Sequence, residues 1–273
     1  MYLPAHFKSN DPAHAHVLMR AHPLASLVSN DDEGFPFITH LPLHLQERGD
    51  GLVLLGHCAR GNPHWRYLQQ RPEALVAFLG PHGYLSPSVY PDLARVPTWN
   101  YLAVHAYGKA EVFTDAERLL TLVSALTDRH EAGRVQPWKV VDAPADYIDS
   151  MLKAIVGFAL PIQRLEGKRK LSQNRNTTDI AGVREGLSAS PDLHDQALAL
   201  LPGRACPATG PRRSGAPHSG AAAARTGRAQ RGIGLVGLQV DRLGVVVGRV
   251  PAMQLGCDGH VAQVRDEARI QAI

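Results

Sequence analysis

Fourteen histidines give this chain many groups that titrate or bind metals near neutral pH. Their spacing builds no familiar site. His40 and His44 lie four apart, the spacing of two ligands on a helix face, but Pro42 stands between them and no H-E-x-x-H occurs. In a strand both would face the same way. We expect no metal site. No G-x-S-x-G elbow is present. Cys58 follows a strand beside His57 and Arg60, whose charge could lower a thiol pKa. Burial as a small apolar residue at a strand end is the favoured competing reading.

Two groups of residues suit an anionic heteroaromatic ligand. In GHCARGNPHW a strand ends near His57, then Arg60, Gly61 and Asn62 form a turn, and Pro63 can open a helix through HWRYLQQ. A turn feeding a helix N-terminus beside an arginine suits a phosphate. An ordinary turn with a solvated Arg60 is the alternative. The second group comprises SPSVY, VPTWNY and KLSQNR. Ser86, Ser88, Thr98, Asn100, Ser172, Gln173 and Asn174 offer hydroxyls and amides to the edges of a ring system. Trp99 and Tyr101 offer ring faces, and Lys168, Lys170 and Arg175 offer charge. The alternative makes these residues turn caps.

The elements that must position them are well punctuated. Asp11-Pro12 predicts a helix from Pro12 to Ala21. LASLV, FPFITHLPLHL, GLVLLGHC, ALVAFLG (ending at Gly80-Pro81) and NYLAVHAYGKAEVF read as strands. Thr114 and Glu117 suggest a capping box for the amphipathic helix DAERLLTLVSALTDRHEA. A second helix should run from Asp142-Pro144 through Ile155. GFALPIQRLEGKRKLS returns to strand, and TDIAGVREGL makes a final short helix. Consecutive strands without crossover helices predict an antiparallel sheet or barrel with peripheral helices, not a doubly wound fold.

Composition divides the chain at about residue 188. Residues 1–188 carry 19 Lys+Arg and 19 Asp+Glu, so they show no global basic bias toward nucleic acid. Residues 189–273 carry 10 Arg and 6 acids, with no aromatic and no Lys. This segment reads as a tail, disordered between about Pro202 and Gly234 for want of apolar area. Its Ala, Gly, Pro and Arg are what GC-rich codons give out of frame; a genuine flexible basic tail is the other reading. Gly232, Gly234 and Gly237 spell G-x-G-x-x-G without a strand and helix around it, a chance match. No run of eighteen apolar residues suggests a membrane span. MYLPAHFKSND has neither the basic start nor the apolar stretch of a signal peptide. Three scattered cysteines suit a reducing cytoplasm.

Together, MYLPAHF, GHCARGNPHW, YLSPSVY, VPTWNY, LTDRHE and GKRKLSQNR resemble the PaiB family of FMN-binding negative transcriptional regulators. The resemblance covers residues 1 to about 188. It implies an α+β fold, an antiparallel split β-barrel with peripheral helices, usually a homodimer with FMN at the subunit interface. By position it points to Thr39, His40 and the turn from Arg60 to Asn62 for the phosphate. It brings His57, Ser86, Ser88, Thr98, Trp99, Asn100, Lys170, Ser172, Gln173 and Arg175 into the candidate flavin site. A regulatory role would run through flavin, a protein partner or nucleic acid. The residues alone leave open a flavin-dependent oxidoreductase or flavin reductase acting on a small molecule.

Overall fold

The computed structural model describes residues 1–201, apart from Asp50 and Leu93. The tail expected from residue 189 is described only as far as Leu201, where it forms helix α6 below; its stretch from Pro202 on and the G-x-G-x-x-G match lie outside the described residues.

Helix α1 (Pro12–Ala21) starts as its sequence requires, with Asp11 accepting a hydrogen bond from the Ala13 amide. It buries Ala15, Leu18 and Met19. Strands β1 (Leu24–Asn30), β2 (Pro36–Pro42), β3 (His44–Arg48) and β4 (Gly51–Ala59) follow. FPFITHLPLHL, expected as one strand, is two. Pro42 has no amide hydrogen to continue the ladder, and Leu43 instead donates to the Pro23 carbonyl. Helix α2 (His64–Gln70) leads to β5 (Glu73–Leu85). This strand runs past Gly80-Pro81, where it was expected to end, because a register shift between Leu79 and His82 absorbs the proline.

Strands β6 (Thr98–Lys109) and β7 (Glu111–Phe113) divide another segment expected to be continuous. At the break, the Ala110 amide leaves the ladder for the Pro72 carbonyl. Helix α3 (Ala116–Glu131) is capped by Asp115, not by a Thr114–Glu117 box: Asp115 accepts from the Arg118 amide. Helix α4 (Ala145–Lys153) stops before Ile155, which begins β8 (Ile155–Lys170). Helices α5 (Thr177–Ser188) and α6 (Leu193–Ala199) close the described chain, so TDIAGVREGL is not the last helix.

Every strand pair is antiparallel, in the order β2-β1-β5-β6-β8-β4-β3, with β7 also on β8. The long strand β8 joins two half-sheets. Its residues 155–161 pair with β4, and its residues 162–170 pair with β6. The curled sheet encloses Leu27, Leu41, Leu54, Val76, Phe78, Val104 and Phe158, and it is open between β2 and β3. This is the expected split barrel. A second core under α3 and α4 packs Leu119, Leu122 and Leu126 on Val53 and Leu55. A third joins α5 and α6 to Leu85, Tyr90 and Leu171. No helix among the described residues is long and apolar enough to cross a membrane.

Candidate functional site

The residues singled out by sequence fall into separate places. At one end of the barrel, Asn62 Nδ2 donates to Thr39 Oγ1 at 3.1 Å, and Thr39 Oγ1 lies 2.7 Å from His64 Nδ1. Asn62 Oδ1 accepts from the His64 amide. His64 is fully buried, edge-on to Phe37, and its Nε2 has no partner. Burial pushes its pKa down to about 4, so the ring is neutral. These three residues lock β2 to the turn entering α2. His40, one residue on, points outward and pairs with Ser26.

Arg60 lies in the same turn but faces α4. Its Nε donates to the Lys153 carbonyl at 2.7 Å and its Nη2 to the Ile155 carbonyl at 3.3 Å. It thereby caps the helix end with a cation, and Nη1 is left for another acceptor. Cys58 is buried, and burial raises its thiol pKa, with hydrogen bonding from the Trp65 backbone the leading opposing effect. That environment removes the activated-thiol reading.

The outer face of the β3–β4 hairpin carries a feature the sequence reading missed. His44 pairs in register with Leu55, and His57 follows two residues along, so all three side chains share one face. His44 and His57 both carry a buried Nδ1 with no partner. Both have pKa values lowered by burial; for His44 the Arg129 and Arg20 cations add to it. A cleft of about 340 Å³ opens between this face and α3. His44, Gln46, Arg48, Glu117, Arg118 and Thr121 supply its polar groups, and Leu55 and Phe113 are among its apolar walls. The alternation H-L-Q-E-R already placed His44, Gln46 and Arg48 together. Nothing in the sequence showed that α3 would complete the cleft.

The second group gathers at the far end of β8. Lys170 Nζ donates to Thr98 Oγ1 at 2.6 Å, and burial lowers its pKa. Asn100 is 2% exposed and bonds Ser172, which holds a left-handed backbone at φ 61°. Gln173 accepts from the Leu171 amide and donates to the Arg169 carbonyl. Ser86 accepts from both the amide and the hydroxyl of Ser88. Arg175 lies over the Tyr90 ring. These polar side chains mostly satisfy one another. The aromatic faces do not: Trp99 and Tyr84 meet edge to face, each 52% exposed.

Residues 1–164 match the family model described as "Putative FMN-binding domain". The chain is also 35% identical over 201 residues to "Protease synthase and sporulation protein PAI 2" of Bacillus subtilis, across 74% of this chain and 96% of that protein. The chain belongs to the PaiB family of FMN-binding proteins. Another relative, the uncharacterized protein YKL070W of Saccharomyces cerevisiae, is 31% identical over 157 residues, 49% of this chain and 92% of that one. Among solved structures, the FAD and heme binding protein from Mycobacterium smegmatis aligns with a TM-score of 0.46 at 21% identity, over 60% of this chain and 73% of that chain. The residues present fit the family's cofactor. The unpartnered His44 nitrogen, several donors and an apolar wall at the β3–α3 cleft, with the unpartnered His57 on the same face of the hairpin, match the mixed polar and aromatic character of a flavin.

Proposed function

We propose that the chain binds FMN between two copies of itself and serves as a flavin-dependent regulatory module. The observation that carries this reading is the separation of the two candidate groups. His57 pairs with Gly157 and Tyr101 with Lys170, so the groups sit thirteen residues apart on β8. That is about 40 Å along an extended strand, a path far longer than one flavin. In this reading one protomer supplies the cleft and its partner supplies the Trp99–Lys170 end, so that one flavin would meet both groups. A two-fold dimer does this twice.

In that arrangement His44, His57, Gln46, Arg48 and Arg118 would hydrogen-bond the cofactor, and Leu55 and Phe113 would wall it. Arg60 Nη1, in the turn entering α2, would be available to a phosphate. Trp99 and Tyr84 of the partner subunit would cover the ring, with the partner's Lys170 beside them. FMN, when bound, supplies one- and two-electron redox chemistry. The neutral imidazoles can accept or donate a proton at their unpaired nitrogens. The regulatory part of the reading draws support from the family and from the sporulation name of the Bacillus subtilis relative. The buried thiol of Cys58 lends nothing to a covalent enzyme mechanism.

Complementation tests the shared site. Ala125→Trp should fill the cleft, and Trp99→Ala with Lys170→Ala should strip the other end. Each variant alone should lose FMN fluorescence quenching. Subunit exchange in an equal mixture should restore about a quarter of the sites, since half the dimers are mixed and each has one intact site. Mixed dimers that restore no binding would overturn the shared site. NAD(P)H oxidation no faster than with free flavin is expected; sustained turnover would favour the oxidoreductase reading.

A further inference from the structure

The bonds around His64 leave one proton to place. Asn62 comes first, because its orientation is fixed. Its Oδ1 accepts from the His64 amide, so its Nδ2 is the group that donates to Thr39 Oγ1. Thr39 thus uses one lone pair on Asn62, and its other contact is His64 Nδ1 at 2.7 Å. Two arrangements satisfy that contact. If Nδ1 is bare, Thr39 donates its hydroxyl proton inward, and the ring proton sits on Nε2, a buried donor without a partner. If Nδ1 carries the proton, it donates to Thr39, and the atom left without a partner is an Nε2 lone pair. The Thr39 hydroxyl proton is then free.

Burial pushes the His64 pKa down to about 4, so near neutral pH the ring holds one proton and the two arrangements exclude each other. Among buried backbone groups an N–H without an acceptor is rarer than an under-used acceptor, and the same desolvation acts on a ring. That favours the proton on Nδ1.

We propose that His64 is a positioning residue for an anion at the α2 turn: its Nδ1 proton holds Thr39 as an acceptor and leaves the Thr39 hydroxyl as an outward donor. Packing keeps the arrangement rigid. Thr39 lies opposite Leu27, on the face of β2 that Phe37 shares, and the Phe37 ring meets the His64 ring at 5.1 Å. Thr39 and Asn62 are only half-buried, and the space beside Gly61 is open, since a Cβ there would meet nothing within 4 Å. Hydrogens then remain on the Thr39 hydroxyl, on Asn62 Nδ2 and on Arg60 Nη1. That donor set suits a phosphate. Taking the phosphate as the flavin's rests on the FMN reading; the place of the ring proton does not.

Proton–nitrogen correlation spectra of the isotope-labelled full chain, without FMN and at about pH 7.5, test the placement directly. The His64 ring, traced to its own backbone, should carry its proton on Nδ1. A proton on Nε2 would overturn the proposal, whatever FMN does. Binding then tests the consequence. Thr39→Val should weaken FMN about tenfold and riboflavin by about twofold at most. His64→Leu should give a similar selective loss, and His64→Asn, which can donate in place of Nδ1, should recover most of it. The double variant His64→Leu, Thr39→Val should bind FMN no more weakly than Thr39→Val, because the two changes act on one bond. Losses that multiply, or that fall equally on riboflavin, would leave His64 a structural role only. Should a variant at this buried site fail to fold, the wild-type spectrum still decides. FMN that fails to bind the wild-type chain would remove the flavin reading and the phosphate with it, a different result from a misplaced proton.

Discussion

The two ends of β8 are built on opposite principles. Near Gly157 the polar groups are buried and unmet: His44 and His57 each keep an orphaned Nδ1, and His64 an orphaned Nε2. Near Lys170 the polar groups largely find each other, as Asn100 with Ser172 and Thr98 with Lys170, while the rings of Trp99 and Tyr84 stay open. A buried polar atom without a partner costs stability that a ligand can return. An exposed ring offers area and little direction. The first end is therefore suited to reading a ligand's polar edge, and the second to covering its face.

The largest expected effect breaks the first end alone. A Cβ on Gly157 would stand 2.4 Å from Phe113 and 2.9 Å from Leu119. Gly157→Ala should cost about 1–3 kcal/mol by overpacking, measured by urea unfolding. It should also displace Phe113 from the cleft and weaken FMN. The corresponding loss should be absent from Ser172→Gly at the other end.

Next comes the pH response of His64. Its value is about 4 when folded and the ordinary 6.5 when unfolded, so the unfolded chain takes the proton first. The neutral ring's contribution is complete above about pH 6.5 and declines as the pH drops toward 4. Between pH 6.5 and 5 the loss is about 2 kcal/mol. His64→Asn keeps a partner for Thr39 and should flatten that part of the slope. A wild-type stability equal at both pH values would remove the buried neutral ring from the account. His44 and His57 act in the same direction, through burial.

Arg60→Ala should divide into two smaller effects. Losing the two bonds, one to the end of α4 and one to the start of β8, should lower stability by about 1 kcal/mol, a modest figure because the group is exposed. If Nη1 serves the phosphate, FMN should weaken about tenfold more than riboflavin, the low end for one charge-assisted bond. Equal weakening of both ligands would confine Arg60 to holding α4. The smallest effect belongs to Ser172→Gly. Relief of the left-handed φ and loss of the Asn100 bond nearly cancel, leaving a change within about 1 kcal/mol. A much larger loss would mean that the Asn100–Ser172 pair organises the whole end.

Most element identities were legible in the sequence because local rules decide them. Asp11-Pro12 starts a helix wherever it occurs, and the apolar spacing of ERLLTLVSAL buries one face of α3 in any setting. The family motifs likewise marked the turn at Arg60 and the strand end at Lys170. What the sequence did not determine was where strands stop when a proline intervenes. Pro42 ended β2, yet Pro81 did not end β5. The difference lies in a neighbouring strand able to absorb an extra residue, and that is a property of the pairing. The site divides in the same way. Residue types and alternation put His44, Gln46 and Arg48 on one face. Only packing against α3 made that face a cleft, and only the turn of the barrel left His57 without a partner. Arg60 looked free for an anion until the end of α4 and the start of β8 placed a carbonyl each against it. Local propensity depends on a few neighbouring residues, whereas cavities and unpaired atoms depend on what distant segments bring.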